Sequence, residues 1–92
     1  MIRDAGGRLE VSGRMTLATA RQLLDAGSRA LKGPETVFDL SGVDEVDSSG
    51  LTVIFGWQRI AARSGKRIRI TNPPRSLVSL ADLYGVSEFL PN

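Results

Sequence analysis

Phe38-Asp39-Leu40-Ser41-Gly42-Val43-Asp44-Glu45-Val46-Asp47-Ser48-Ser49-Gly50-Leu51 is the stretch on which the fold turns. Thr36 to Leu40 has the β-branched and aromatic content of a buried strand. Ser41 to Val46 reads as an acidic loop, and the hydroxyl-rich Asp47-Ser48-Ser49 opens a helix that runs to about Ser64, where Gly65 closes it. Beyond that, Lys66 to Thr71 alternates Arg67 and Arg69 outward with Ile68 and Ile70 inward, the pattern of a strand with one buried side. Strand, helix and strand in this order imply a parallel crossover.

Working outward, Thr16 is a plausible N-cap for a first helix in which Leu17, Ala20, Leu24, Gly27 and Leu31 recur at three- and four-residue steps before Gly33-Pro34. Residues 1 to 5 and 8 to 13 flank Gly6-Gly7 and predict a short antiparallel hairpin. At the other end Pro73-Pro74 starts a last short helix whose Leu77, Leu80, Ala81 and Tyr84 share a face, with Gly85 as its cap. Val86 to Asn92 is expected to add a short edge strand. The expected architecture is therefore α/β: a small mixed sheet, mostly parallel after its hairpin strand, covered by about three helices.

The chain has 92 residues, enough for one modest core, and is expected to form one domain over residues 1–92. Its 41% hydrophobic and 24% charged residues are those of an ordinary globular protein. Cysteine and histidine are both absent. Thiol nucleophiles, imidazole bases and the usual zinc ligands are thereby removed, so no catalytic residue, no cofactor and no metal site is assigned. No apolar run approaches the roughly 20 residues that span a bilayer, and Met1-Ile2-Arg3-Asp4 is not a signal peptide, so the expected compartment is the cytoplasm, without direct membrane insertion.

The net charge is only +2, with acids gathered between Glu35 and Asp47 and six bases between Arg59 and Arg75. That is too little for nonspecific nucleic-acid binding, and Arg63-Ser64-Gly65-Lys66-Arg67-Ile68-Arg69 fits a helix end followed by the polar side of a strand. Ser64-Gly65-Lys66 lacks the spacing of a phosphate-binding P-loop.

Two features of the central helix bear on function. Asp47 or Ser48 caps it, a role worth about 1 kcal/mol, and Ser48 also reads as an exposed hydroxyl at a helix N-terminus, where free N–H groups and the helix dipole tolerate an added phosphate. At 100° per residue, Leu51, Ile54, Phe55, Gln58, Ala61 and Ala62 form one wide face suited to the sheet. Val53, Trp57 and Ile60 form a second stripe, which must meet a neighbouring helix or remain exposed for a partner. Trp57, the only tryptophan, favours the partner, since large aromatics often anchor interfaces.

The strand, the Asp-Ser-Ser-Gly-Leu turn at 47–51, the apolar helix and the following strand resemble a STAS domain over nearly the whole chain. Within that family, the ending Leu80-Ala81-Asp82-Leu83-Tyr84-Gly85-Val86 and the apolar stripe are similar to the MlaB-like subunits of phospholipid-transporting ABC complexes. Ser49 agrees better with the anti-sigma factor antagonists, whose phosphorylated hydroxyl corresponds to Ser48. The resemblance implies a non-catalytic protein-binding module, peripheral to the inner membrane, whose partner is an MlaF-like transporter ATPase, with Asp47, Ser48, Ser49, Val53, Trp57 and Ile60 at the contact. The alternative it implies is an antagonist that binds an anti-sigma kinase until Ser48 is phosphorylated.

Overall fold

The computed structural model describes residues 1–92. Four strands form one sheet in the order β1-β2-β3-β4, with β1 at Ile2–Asp4, β2 at Leu9–Met15, β3 at Glu35–Val46 and β4 at Arg67–Thr71. β1 and β2 pair antiparallel through the Gly6-Gly7 turn, while β2, β3 and β4 run parallel. Three helices connect and cover them: α1 at Ala20–Arg29, α2 at Ser48–Arg63 and α3 at Arg75–Leu83. The expected mixed sheet with about three helices is what the chain forms.

Strand order moves in one direction from β2 to β4, so two crossovers of the same hand place α1 and α2 side by side on the same sheet face. Under them lies the core, in which Val11, Phe38, Leu40, Ile68 and Ile70 point up from the strands and Leu23, Ile54, Trp57, Ala61 and Leu77 point down from the helices. Alternation sends Glu10, Asp39, Arg67 and Arg69 to the opposite face. There Asp39 accepts hydrogen bonds from the Ser41 N–H (3.0 Å) and the Asn72 amide (3.2 Å) and faces the Arg8 guanidinium at 3.3 Å. These contacts, the Ser41 N–H foremost, hold its carboxyl below the usual range.

Four local expectations are corrected. The acidic segment Ser41–Val46 is strand, because β3 keeps pairing with β2 as far as Met15↔Val46. Its backbone groups have a partner there, and only its exposed side chains Asp44 and Glu45 look like a loop. Two register shifts accommodate the length, one of them beside Gly13 at φ 84°, a left-handed conformation that glycine adopts without a Cβ clash.

Thr16 does not cap α1. It lies in a preceding turn, in which the Thr19 hydroxyl accepts from the Thr16 N–H and donates to the Arg14 carbonyl, so the helix starts only at Ala20. Leu17 is consequently not a core residue but 79% exposed. Finally, the tail forms a short 3-10 turn at Ser87–Phe89 instead of a strand, touching the sheet edge through one bond from the Ile70 N–H to the Pro91 carbonyl (2.7 Å).

Candidate functional site at the start of helix α2

Parallel pairing in the register Met15↔Val46 brings the carboxyl ends of β2 and β3 to the same edge of the molecule, so the loop entering α1 and the turn entering α2 must meet. Asp47 joins them. Its Oδ1 accepts from the Ser49 N–H at 2.8 Å, capping α2, while Oδ2 accepts from the Leu17 N–H at 3.1 Å across the gap to the other loop. The carboxyl is held below its ordinary range, chiefly by the Leu17 N–H and then, against a partial desolvation cost, by Ser49.

Gly50 makes the approach possible, because a Cβ there would lie 2.9 Å from Val46 Cγ1 and 3.2 Å from the Met15 carbonyl oxygen. The first turn of α2 is thereby pressed onto the ends of both strands. Capping by Asp47 leaves Ser48 as the first helical residue, exposed and with no intrachain hydrogen bond to its hydroxyl.

Asp47 holds the backbone of the exposed Leu17 in the neighbouring loop. A shallow groove beside Ser48 runs between α2 and the end of α3, lined by Ser48, Ser49, Thr52, Phe55, Tyr84 and Val86. Tyr84 is 57% exposed at its rim, and Leu83 and Phe89 are exposed nearby in the chain. A free hydroxyl flanked by apolar side chains outside the carboxyl ends of parallel strands is suited to taking up another surface.

The sequence family described as Mlab, STAS domain matches residues 2–91. The chain belongs to this STAS family. Over 55 residues it is 33% identical to the intermembrane phospholipid transport system binding protein MlaB of Haemophilus influenzae, a match covering 60% of this chain and 52% of that protein. The STAS chain therefore aligns with about half the length of that relative. Among solved structures it superposes on an anti-sigma factor antagonist from Mycobacterium paratuberculosis with a TM-score of 0.68, at 24% identity, covering 99% of this chain and 80% of that one. The anti-sigma factor antagonist SpoIIAA in its unphosphorylated form gives 0.65 at 15% identity, with 90% and 81% covered. At these identities the structural likeness concerns the fold.

Of the site residues expected from sequence, the STAS fold brings Asp47, Ser48 and Ser49 together at the α2 start. It does not expose the stripe of Val53, Trp57 and Ile60. Val53 is 1% and Trp57 0% exposed, and Ile60 is half-buried. The stripe meets α1: the indole Nε1–H donates to the Leu23 carbonyl at 3.0 Å, and the ring stacks on Phe38 with centroids 4.1 Å apart and planes 5° from parallel. The reading of Val53 and Trp57 as surface contacts is thus corrected to interhelical core.

Two mid-helix glycines were the available signal. A Cβ on Gly27 would come within 2.2 Å of Trp57 Nε1, and one on Gly56 within 2.7 Å of Leu24 Cδ1. Glycine inside a helix costs about 1 kcal/mol relative to alanine, so two facing examples point to a close helix contact. Leu17 and Tyr84 are exposed apolar groups near this end of α2 although periodicity predicts them as core, and Phe55 is half-buried against the core as its periodicity predicts.

No helix is long and apolar enough to cross a membrane, and no cluster of three acidic side chains is placed to hold a metal ion.

Proposed function

We propose that this chain is a non-catalytic STAS subunit that binds and supports the ATPase of a phospholipid-transporting ABC complex, holding it at the α2 start. Supporting this reading are the family membership and the resemblance to a phospholipid transport binding protein. The observation that carries the site is the unpaired, exposed Ser48 hydroxyl on the edge of the Tyr84 groove, next to the Asp47 carboxyl that holds the Leu17 N–H. Ser48 supplies the polar contact, with Asp47 and Ser49 fixing the turn that presents it. Leu17 and Tyr84 supply apolar area in place of Trp57. The subunit sits peripherally on the cytoplasmic side, held by its partner, and takes no cofactor.

One observation favours a second reading, that of an anti-sigma factor antagonist. Ser48 occupies the first helical position with its hydroxyl free, open to a kinase and beside N–H groups that accommodate phosphate. Co-purification separates the two. The first reading expects the chain to retain its co-encoded transport ATPase and to lose it on Ser48→Glu. Retention of an anti-sigma kinase instead of the ATPase would replace the first reading by the second, and retention of the ATPase by Ser48→Glu at wild-type strength would remove Ser48 from the contact.

A further inference from the structure

Six of the twelve bases pair with a carboxylate within 4.0 Å: Arg3, Arg8, Arg14, Lys32, Arg67 and Arg69. These occupy the hairpin, the sheet face opposite the helices, the end of β2 and, for Lys32, the loop between α1 and β3. Of the six without such a partner, Lys66 precedes β4 and Arg75 opens α3, whereas the other four gather on two helices, Arg21 and Arg29 exposed on α1 and Arg59 and Arg63 exposed on α2. Since both helices lie on one face of the sheet, these four guanidiniums look away from it on the same side of the molecule. The only acid among them is Asp25, also exposed and one turn from both Arg21 and Arg29.

Helical geometry connects this ridge with the α2 start. At 100° per residue, Ser48, Thr52, Arg59 and Arg63 fall within about 60° of one another on the solvent side of α2, and all four are exposed. A body docked on Ser48 and continuing along α2 therefore reaches Arg59 and Arg63.

We propose that the arginine ridge of α1 and α2 is a second contact for an acidic surface of the same protein that docks at Ser48, where it steers association. The proposal rests on the partner-binding reading above. All four bases are arginine, whose planar fork matches carboxylates in pairs. Asp25 argues for a protein partner rather than a lipid surface or a nucleic acid. Set between Arg21 and Arg29, it would oppose a like charge on a uniformly anionic array, whereas a folded protein can be acidic opposite the arginines only. Exposed charges at an interface rim act on the association rate and its salt dependence more than on dissociation.

The test is the association rate of the intact chain with its co-encoded transport ATPase across ionic strength. Arg59→Glu combined with Arg63→Glu is expected to slow association roughly tenfold at low salt and to flatten its salt dependence, with dissociation unchanged within about twofold. Arg67→Glu, on the opposite sheet face, is expected to leave the rate near wild type. An equal loss in that control, or an unchanged salt slope in the double variant, would overturn the ridge. Arginine-dependent retention on phosphatidylglycerol vesicles or on duplex DNA would overturn the assignment to a protein. If the wild-type chain fails to bind the ATPase, the functional reading falls together with the ridge. If Ser48→Glu weakens binding and the double charge reversal leaves association untouched, the ridge alone falls.

Discussion

Replacing Gly27 by alanine sets two effects of known sign against each other. At an ordinary helix site the added methyl stabilises by about 1 kcal/mol, because alanine loses less backbone entropy than glycine. At Gly27 the methyl carbon would stand 2.2 Å from Trp57 Nε1, 2.4 Å from Cε2 and 2.9 Å from Cζ2. The indole cannot yield easily, being fully buried, stacked on Phe38 and bonded to the Leu23 carbonyl. Overpacking a core costs about 1–3 kcal/mol, and leaving the buried indole N–H without its acceptor adds about 1–3 kcal/mol. After the propensity gain, Gly27→Ala is expected to destabilise by about 3 kcal/mol. Urea unfolding followed by the fluorescence of the single tryptophan would read this as a midpoint lowered by about 2–3 M, for a slope slightly above 1 kcal/mol/M. Trp57→Phe removes both the Nε1–H and the outer ring, so Gly27→Ala in that background is expected to cost much less, a coupling of at least about 1 kcal/mol. That double variant would be followed by circular dichroism. A midpoint raised by Gly27→Ala, or strict additivity of the two substitutions, would refute the interhelical lock.

Two further outcomes concern the site. Tyr84→Ala is expected to weaken retention of the transport ATPase by about 30-fold, the loss of one interface anchor near 2 kcal/mol, while leaving the unfolding midpoint almost unchanged because the ring is 57% exposed; an unaltered affinity would remove Tyr84 from the contact. Asp47→Asn tests the strut between the two loops. The native carboxyl is held below its unfolded value, so its stabilisation is present above that value and is lost as pH falls through the folded one. The urea-midpoint difference between wild type and Asp47→Asn should therefore be full near neutrality and shrink below about pH 4, and a difference independent of pH would count against the charged strut.

The crossovers were legible because their periodicities are unambiguous: Ile68 and Ile70 alternate with Arg67 and Arg69, and the central helix carries apolar residues all along one side. What escaped was decided across space. Asp44 and Glu45 look like loop residues, yet their backbone pairs with β2 while their side chains remain in solvent. Leu17 fits the α1 periodicity but lies outside the helix, because the Thr19 hydroxyl captures the preceding turn. For Trp57, a helical wheel shows that a second side of α2 is apolar without showing what lies opposite. The counterpart was written in α1, as the gap left by Gly27. The helix start was legible to within one residue, since the sequence left Asp47 and Ser48 both open as the cap and the structure gives the role to Asp47, while the bond from the Leu17 N–H to the second Asp47 oxygen needed the β2–β3 register.

Trp57 buried between the helices also changes what a modification at Ser48 can do. With α1 and α2 locked at Trp57 and the two loops tied at Asp47, the Ser48 hydroxyl supports nothing within the chain. A negative group added there meets opposed local influences. The N-terminal helix dipole favours it by about 0.3–1 kcal/mol, and the ionised Asp47 with its exposed neighbours Asp44 and Glu45 repels it. These nearly cancel, so Ser48→Glu should shift folding stability by no more than about 0.5 kcal/mol in either direction. Any loss of partner binding in that variant is then a property of the surface and not of an unfolded domain. An unfolding midpoint displaced by more than this would mean that Ser48 is part of the structural strut, and the surface reading of its binding defect would fail with it.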